Sequence, residues 1–290
     1  MVFLSGDYSV TRSQCVSVVL LALLSSACTT PTVRNNAFAA ANGFTRQVVP
    51  GADFSHLVYI AENGAKNRTE TREDNLWHIY IEGDGVPWVR RQIIATDPTP
   101  SEPLMLQLMA QDSHPAIYLG RPCYFGMARD SACNPWVWTH GRYSEQVVES
   151  MRTALATLIN ANAITSLVLI GHSGGGTLAM LLAERIPRVR LVVTLAGNLD
   201  IDAWTARHGY TALEHSLNPA HRPPLPRYID QLHYVGKNDK NVPPEMLKTA
   251  VKQQKTARIF VLDGLGHQQG WDHYWTKILQ TINFSERNYE

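Results

Sequence analysis

The run Ser166-Leu167-Val168-Leu169-Ile170 is followed by Gly171-His172-Ser173-Gly174-Gly175-Gly176 and then by an apolar, alanine-containing stretch from Thr177 to Ala183. A short apolar run bounded by glycine reads as a buried strand and the stretch after it as a buried helix, so Ser173 falls in the turn between them. Such a strand-to-helix turn is sharp. It needs backbone positions without a Cβ on either side, and it can force the serine into an unfavourable φ/ψ region. A bare G-x-S-x-G pattern occurs often by chance, but one that closes a strand and opens a helix matches the strained turn that exposes a serine hydroxyl. A glycine-rich turn with a helix-capping serine is the plainer alternative.

Elements around that turn alternate. A helix from Tyr143 to about Asn160, the strand 166–170, a helix through about Arg185 and a strand from Leu191 to Ala196 are followed by a strand Leu232 to Val235, a helix Pro244 to Gln254, a strand Arg258 to Leu262 and a last helix from about Asp272. This pattern predicts an α/β fold with a mostly parallel central sheet and helices on both faces. Upstream, short runs at Phe44 to Val49, His56 to Ala61, Leu76 to Ile81 and Ala116 to Leu119 read as strands, the early ones suited to antiparallel pairing, and Glu102 to Gln111 reads as a helix. The interval 198–230 has Trp204, Tyr210, Pro219, Pro223, Pro224 and Pro226 but no clear strand, and is expected to form a small lid.

With 290 residues and 44% hydrophobic content, the chain suits one large domain better than two independent ones. A net charge of +1 without a basic stretch argues against a nucleic-acid partner and favours a small-molecule substrate. Cys15 to Leu24 is an apolar segment of export-signal length, too short to span a bilayer. Ser25-Ser26-Ala27-Cys28 behind it resembles the lipobox at which bacterial lipoprotein signals are cut and the cysteine acylated, although Leu24 stands four residues before Cys28 and Asp7 opposes Arg12 in the leading segment. We therefore expect a signal over 1–28 with Cys28 as lipidation site and any membrane contact made through that anchor. A plain secretory signal and an uncleaved apolar N-terminus are the alternatives. A flexible tether over 29–43 and a folded body over 44–290 would follow, in a protein exported to the bacterial envelope or periplasm. Cys123 and Cys133 flank a loop and suggest a disulfide in an oxidising compartment. Their spacing is not that of a zinc site, and nothing near them resembles a thiol nucleophile with its own base.

A serine hydroxyl needs a base, and the base needs a group to hold it. The strand 232–235 ends in Gly236-Lys237-Asn238-Asp239-Lys240-Asn241-Val242-Pro243, and the strand 258–262 ends in Asp263-Gly264-Leu265-Gly266-His267. Asp239 and His267 thus join Ser173 at the ends of successive parallel strands. His172 and His273 are the rival bases, Asp200 the rival acid, and Asp263 reads as structural. Glu82 and Asp84 read as turn residues rather than a carboxylate pair, because alternate side chains at a strand end point to opposite faces. No H-E-x-x-H and no Asp-rich calcium loop is present, so neither a metal nor a cofactor is expected. Trp136, Trp138, Tyr143, Trp204 and Tyr210 are candidates for an acyl pocket or for plain core.

The strand-GHSGGG-helix, the strand-GKNDKNVP loop and the strand-DGLGH loop together resemble the α/β-hydrolase superfamily, from about Phe44 to the C-terminus. The segments Tyr80 to Gly85, Arg121-Pro122-Cys123, Trp138 to Tyr143 and Ala196 to Asp200 resemble uncharacterised exported bacterial members of it. The resemblance implies the α/β-hydrolase fold and a triad in the order Ser173, Asp239, His267. It also implies an oxyanion hole made by the N–H of Gly174 and one from the turn Glu82-Gly83-Asp84-Gly85. Lipases and esterases often place His-Gly in that turn; here Glu82-Gly83 leaves the second donor open between Gly83 and Asp84. The expected activity is that of a serine hydrolase on ester-type substrates. A peptidase or amidase on the same fold and a non-catalytic envelope binding protein are the alternatives, and the oligomeric state is left open.

Overall fold

The computed structural model describes residues 30–62, 75–90 and 92–286. Its strands are β1 (Thr45–Pro50), β2 (Ser55–Ala61), β3 (Leu76–Ile81), β4 (Trp88–Val89), β5 (Ile93–Ile94), β6 (Ala116–Leu119), β7 (Ser166–His172), β8 (Val189–Leu195), β9 (Asp230–Gly236) and β10 (Ala257–Leu262). Its helices are α1 (Pro31–Ala41), α2 (Leu104–Met109), α3 (Pro135–Trp138), α4 (Glu145–Ala161), α5 (Gly174–Ala183), α6 (Ile201–His208), α7 (Pro244–Ala250) and α8 (Trp271–Glu286).

The apolar run before the serine forms β7, buried from Leu167 onward. A strand buried on both faces reads as a continuous apolar run, as expected inside a parallel sheet covered by helices. The sheet has eight strands in the order β1-β2-β6-β3-β7-β8-β9-β10. Pairs β1–β2 and β2–β6 are antiparallel, and the others are parallel. α4 starts at Ser144, whose Oγ accepts the Val147 N–H, and buries Val147, Met151, Leu155 and Leu158 on one face. α5 is buried along its whole length, which its glycine, alanine and leucine composition permits. Glu82 to Gly85, Ser173, the 237–243 loop and the 263–270 loop leave the carboxyl ends of β3, β7, β9 and β10, where open α/β sheets place their ligands.

Two segments depart from the sequence reading. Residues 31–41, expected within a flexible tether, form α1: Thr30 caps its start through the Val33 N–H, and Pro31 occupies the first turn. Asn35 is buried and donates to the Pro100 carbonyl at 3.3 Å, Asn36 accepts from the Tyr59 hydroxyl at 2.7 Å, and Ala39 joins the core. The small and polar residues that suggested a tether are used in packing against the body. The second departure is β4–β5, an antiparallel pair too short to register as a pattern. Within 198–230 lie α6 and a single 3-10 turn, Pro219–His221. The expected signal and Cys28 fall outside the described residues.

Candidate active site

Ser173 has φ 51° and ψ −119°, a conformation that costs a non-glycine residue about 1–3 kcal/mol. The surrounding backbone holds it there. Its N–H donates to Leu195 O at 2.9 Å, and its carbonyl accepts from the N–H groups of Gly176 and Asn198, each at 3.0 Å. A Cβ on Gly171 would lie 2.2 Å from Gly175 O, and one on Gly175 would lie 2.1 Å from Ile81 O, so the turn closes only with glycine at both places.

The hydroxyl of Ser173 faces His267, with Oγ 2.9 Å from Nε2, and His267 Nδ1 lies 2.8 Å from Asp239 Oδ2. Asp239 is buried, and its Oδ1 accepts the N–H groups of Asn241 at 2.8 Å and Val242 at 2.9 Å, which fixes the carboxylate. An ionised carboxylate can only accept, so Nδ1 carries the proton and Nε2 is left to accept from the serine. The loop bearing His267 is held from behind: its carbonyl accepts from His172 Nε2 at 2.8 Å and Trp271 Nε1 at 3.0 Å. Burial, followed by the neighbouring His267, pushes the His172 pKa down to about 3, so this ring stays neutral with its proton on Nε2. Among the rivals, Asp200 caps α6 through the Ala203 N–H and accepts from Asn218. Asp263 pairs with Lys237 at the surface, and the His273 side chain is exposed.

The turn after β3 packs against the turn that holds Ser173, where a Cβ on Gly83 would sit 3.5 Å from Ser173 Cβ. Glu82 is buried, and its two oxygens accept the N–H groups of Gly83 at 3.2 Å and Met105 at 3.0 Å. Burial pushes its pKa up to about 7 against the opposing effect of those two donors and of Arg121. The Gly83 N–H is thus engaged, whereas no hydrogen bond within the described residues engages the N–H of Asp84 or Gly174. The Asp84 carboxylate turns away from Glu82 toward Arg121 Nη1 at 2.5 Å, Arg142 Nη1 at 2.9 Å and the Tyr143 hydroxyl at 2.6 and 2.7 Å. Burial would raise its pKa, but Arg142, Arg121 and Tyr143 together outweigh burial and hold it well below the usual carboxylate range. Sequence reasoning considered Asp84 as an oxyanion donor or turn residue and Tyr143 as a pocket or core aromatic, but did not foresee that they meet; Arg121 and Arg142 were noted only in segments of family likeness.

No family model matches the sequence, and no curated protein does. Solved structures do match. A candidate lipase from Acinetobacter baumannii superposes with a TM-score of 0.60 at 12% identity, over 90% of this chain and 98% of its own. A proline iminopeptidase of Mycobacterium smegmatis gives 0.63 at 11% identity, over 85% and 100%. An esterase of Pyrococcus furiosus gives 0.58 at 11% identity, over 86% and 94%. The chain has the α/β-hydrolase fold.

In this α/β-hydrolase fold, Ser173 and His267 open onto a cavity of about 820 Å³ whose wall includes Arg142, Trp88, Trp204 and Tyr210. Trp204 and Tyr210, left open by the sequence between pocket and core, line it. Trp138 and Tyr143 are instead buried, bonded to Ala95 O and to Asp84, and Trp136 lies off the cavity wall. Trp88, from the short β4–β5 pair, was missed. Cys123 and Cys133 form a disulfide. Among the described residues, two groups place metal-ligand atoms within 4.8 Å of one another, His78 with Asp112 and His114, and Asp200 with Asp202 and His221; none of these residues lines the cavity.

Proposed function

We propose that the protein is a serine hydrolase that cleaves carboxylic ester-type substrates through an acyl-enzyme. Ser173 is the nucleophile, His267 the general base and then acid, and Asp239 the group that holds the imidazole. The observation that carries this reading is the unbroken row Ser173 Oγ, His267, Asp239 at 2.9 and 2.8 Å on the wall of the cavity. Ser173 Oγ bonds to the carbonyl carbon, its proton passes to His267 Nε2, and the carbonyl π pair moves onto oxygen. On collapse, the bond to the leaving alcohol breaks and His267 returns the proton to it. Water then repeats the sequence on the acyl-enzyme and releases the acid. The Gly174 N–H, with that of Asp84, donates to the developing oxyanion, each worth roughly 3–4 kcal/mol in such sites.

The test is Ser173→Ala. We expect loss of p-nitrophenyl ester turnover and of labelling by a serine-directed fluorophosphonate, with the label on wild type mapping to the peptide that holds Ser173. Unchanged labelling of the variant would refute the assignment. The iminopeptidase among the structural neighbours makes amides the second substrate class to try, and parallel assays on p-nitrophenyl esters and amino-acid arylamides separate the two. Export to an oxidising compartment is part of the proposal, supported by the disulfide. Among the described residues no helix is long and apolar enough to cross a membrane. Acylation at Cys28 would give the anchored form.

A further inference from the structure

We propose that Arg121, Arg142 and Tyr143 are positioning residues for the oxyanion site: through the Asp84 carboxylate they hold the Asp84 N–H and the Gly174 backbone in register for a developing oxyanion. This rests on the serine-hydrolase reading and supplies the support that reading lacks. The two N–H groups belong to different loops, one after β3 and one after β7, and oxyanion donors act only if their spacing is set before charge appears.

The carboxylate touches both loops. A Cβ on Gly174 would meet Asp84 Oδ1 at 2.1 Å and the Tyr143 hydroxyl at 2.3 Å, so the anion lies directly against the Gly174 Cα. On the other side of the residue, the Tyr124 hydroxyl donates to the Asp84 carbonyl at 2.8 Å. Asp84 is thereby gripped at its side chain and its backbone, leaving its N–H as the unengaged polar group. The guanidinium groups are themselves fixed: Arg121 Nη2 donates to Arg142 O at 3.0 Å, and Arg142 Nε donates to Thr139 O at 2.6 Å. Their side chains are only 2% and 6% exposed.

Stability is a poor explanation for this cluster. Burying ion pairs recovers little more than their desolvation, and apolar residues of like volume often serve as well. Two guanidinium groups on one carboxylate also leave a surplus positive charge in the buried cluster. What the arrangement supplies is a fixed direction for the Asp84 peptide and a positive field beside the point where substrate charge develops.

The experiment compares Tyr143→Phe, Arg142→Lys, Arg142→Met and Arg121→Lys with wild type on an activated oxoester and on its thionoester analogue. A thiocarbonyl sulfur is a poor acceptor for N–H groups, so the oxo-to-thiono ratio of kcat reports on the hole separately from the nucleophile and base. We expect kcat on the oxoester to fall about 10- to 100-fold, the scale for small misplacements of reacting groups, with KM within about twofold. The thionoester rate should change little, so the ratio falls with kcat, and Arg142→Lys should recover part of what Arg142→Met loses. A kcat at the wild-type level, an equal fall on both esters, or a rise in KM alone would overturn the proposal. Tyr143→Phe removes a single oxygen and carries the test should an arginine variant not fold. Wild type active, Ser173→Ala inactive and Tyr143→Phe unimpaired would overturn this proposal alone. A wild type inert to both esters would overturn the serine-hydrolase reading with it.

Discussion

Glu82→Gln offers a direct test of how the buried turn beside Ser173 is charged. Burial raises the Glu82 pKa from 4.5 to about 7. Between those two values the folded protein keeps a proton that the unfolded chain has released, so this group makes stability fall as pH rises through the window and contributes no further slope above it. The separation, at 1.36 kcal/mol per unit, amounts to about 3 kcal/mol, a large part of the roughly 5–15 kcal/mol that holds a domain folded. Glutamine does not titrate. It can accept only one of the two N–H groups that Glu82 accepts, from Gly83 and Met105, which adds a constant cost of about 1–3 kcal/mol at every pH. The assay is urea unfolding of both proteins, followed by tryptophan fluorescence, from pH 4.5 to just above 7. The buried histidines titrate in overlapping ranges but are common to both proteins and cancel in the difference. The stability of the variant relative to wild type should rise by about 3 kcal/mol across the window. Two curves running parallel from end to end would show that Glu82 is not held protonated, and the account of this turn would fail.

Asp239→Asn should lower kcat by about four orders of magnitude by upsetting the imidazole tautomer, while Asp200→Asn, which keeps a competent helix cap, should stay within about twofold; the reverse order would identify Asp200 as the acid. Replacing both Cys123 and Cys133 by serine should cost about 2–3 kcal/mol, the loop-closure value for a short span, read as a lowered urea midpoint; an unchanged midpoint would contradict it. Burial lowers His56 to about 4 and His233 to about 3, so each favours folding fully above 6.5 and loses that contribution as pH falls toward the lower value. His233→Gln should therefore flatten the acid limb of the stability curve by roughly 3–5 kcal/mol, and an acid limb as steep as that of wild type would refute it.

The parallel half of the sheet was legible because strands buried on both faces tend to be written as short apolar runs bounded by turn residues, as at Leu167 to Ile170, and even the run Leu232 to Val235, which includes His233, is short and ends at a glycine. That Ser173, Asp239 and His267 come together was legible for a related reason, since each follows a strand at a glycine-containing turn, although β10, before His267, is partly exposed. α1 was not, because its stability lies in contacts with Tyr59 and Pro100, distant in sequence, while its own composition is that of a linker. The grip on Asp84 escaped for the same cause. Arg121, Arg142 and Tyr143 lie 37, 58 and 59 positions away along the chain, and no local period connects them. The engagement of Gly83 by Glu82 depends on a side chain folding back on its own backbone, which residue types alone do not specify.

The order of strands has a consequence for how activity is lost. Ser173 hangs from β7, in the interior of the sheet, whereas His267 follows β10, an edge strand paired only with β9 among the described residues and partly open to solvent along its length. Fraying begins where a strand has one neighbour and little cover. Heat or mild denaturant would therefore withdraw His267, the proposed base, while Ser173 keeps its strained conformation within an intact core. On the proposed roles, inactivation would then precede global unfolding, and the durability of the chemistry would be governed by the edge of the sheet rather than by its centre.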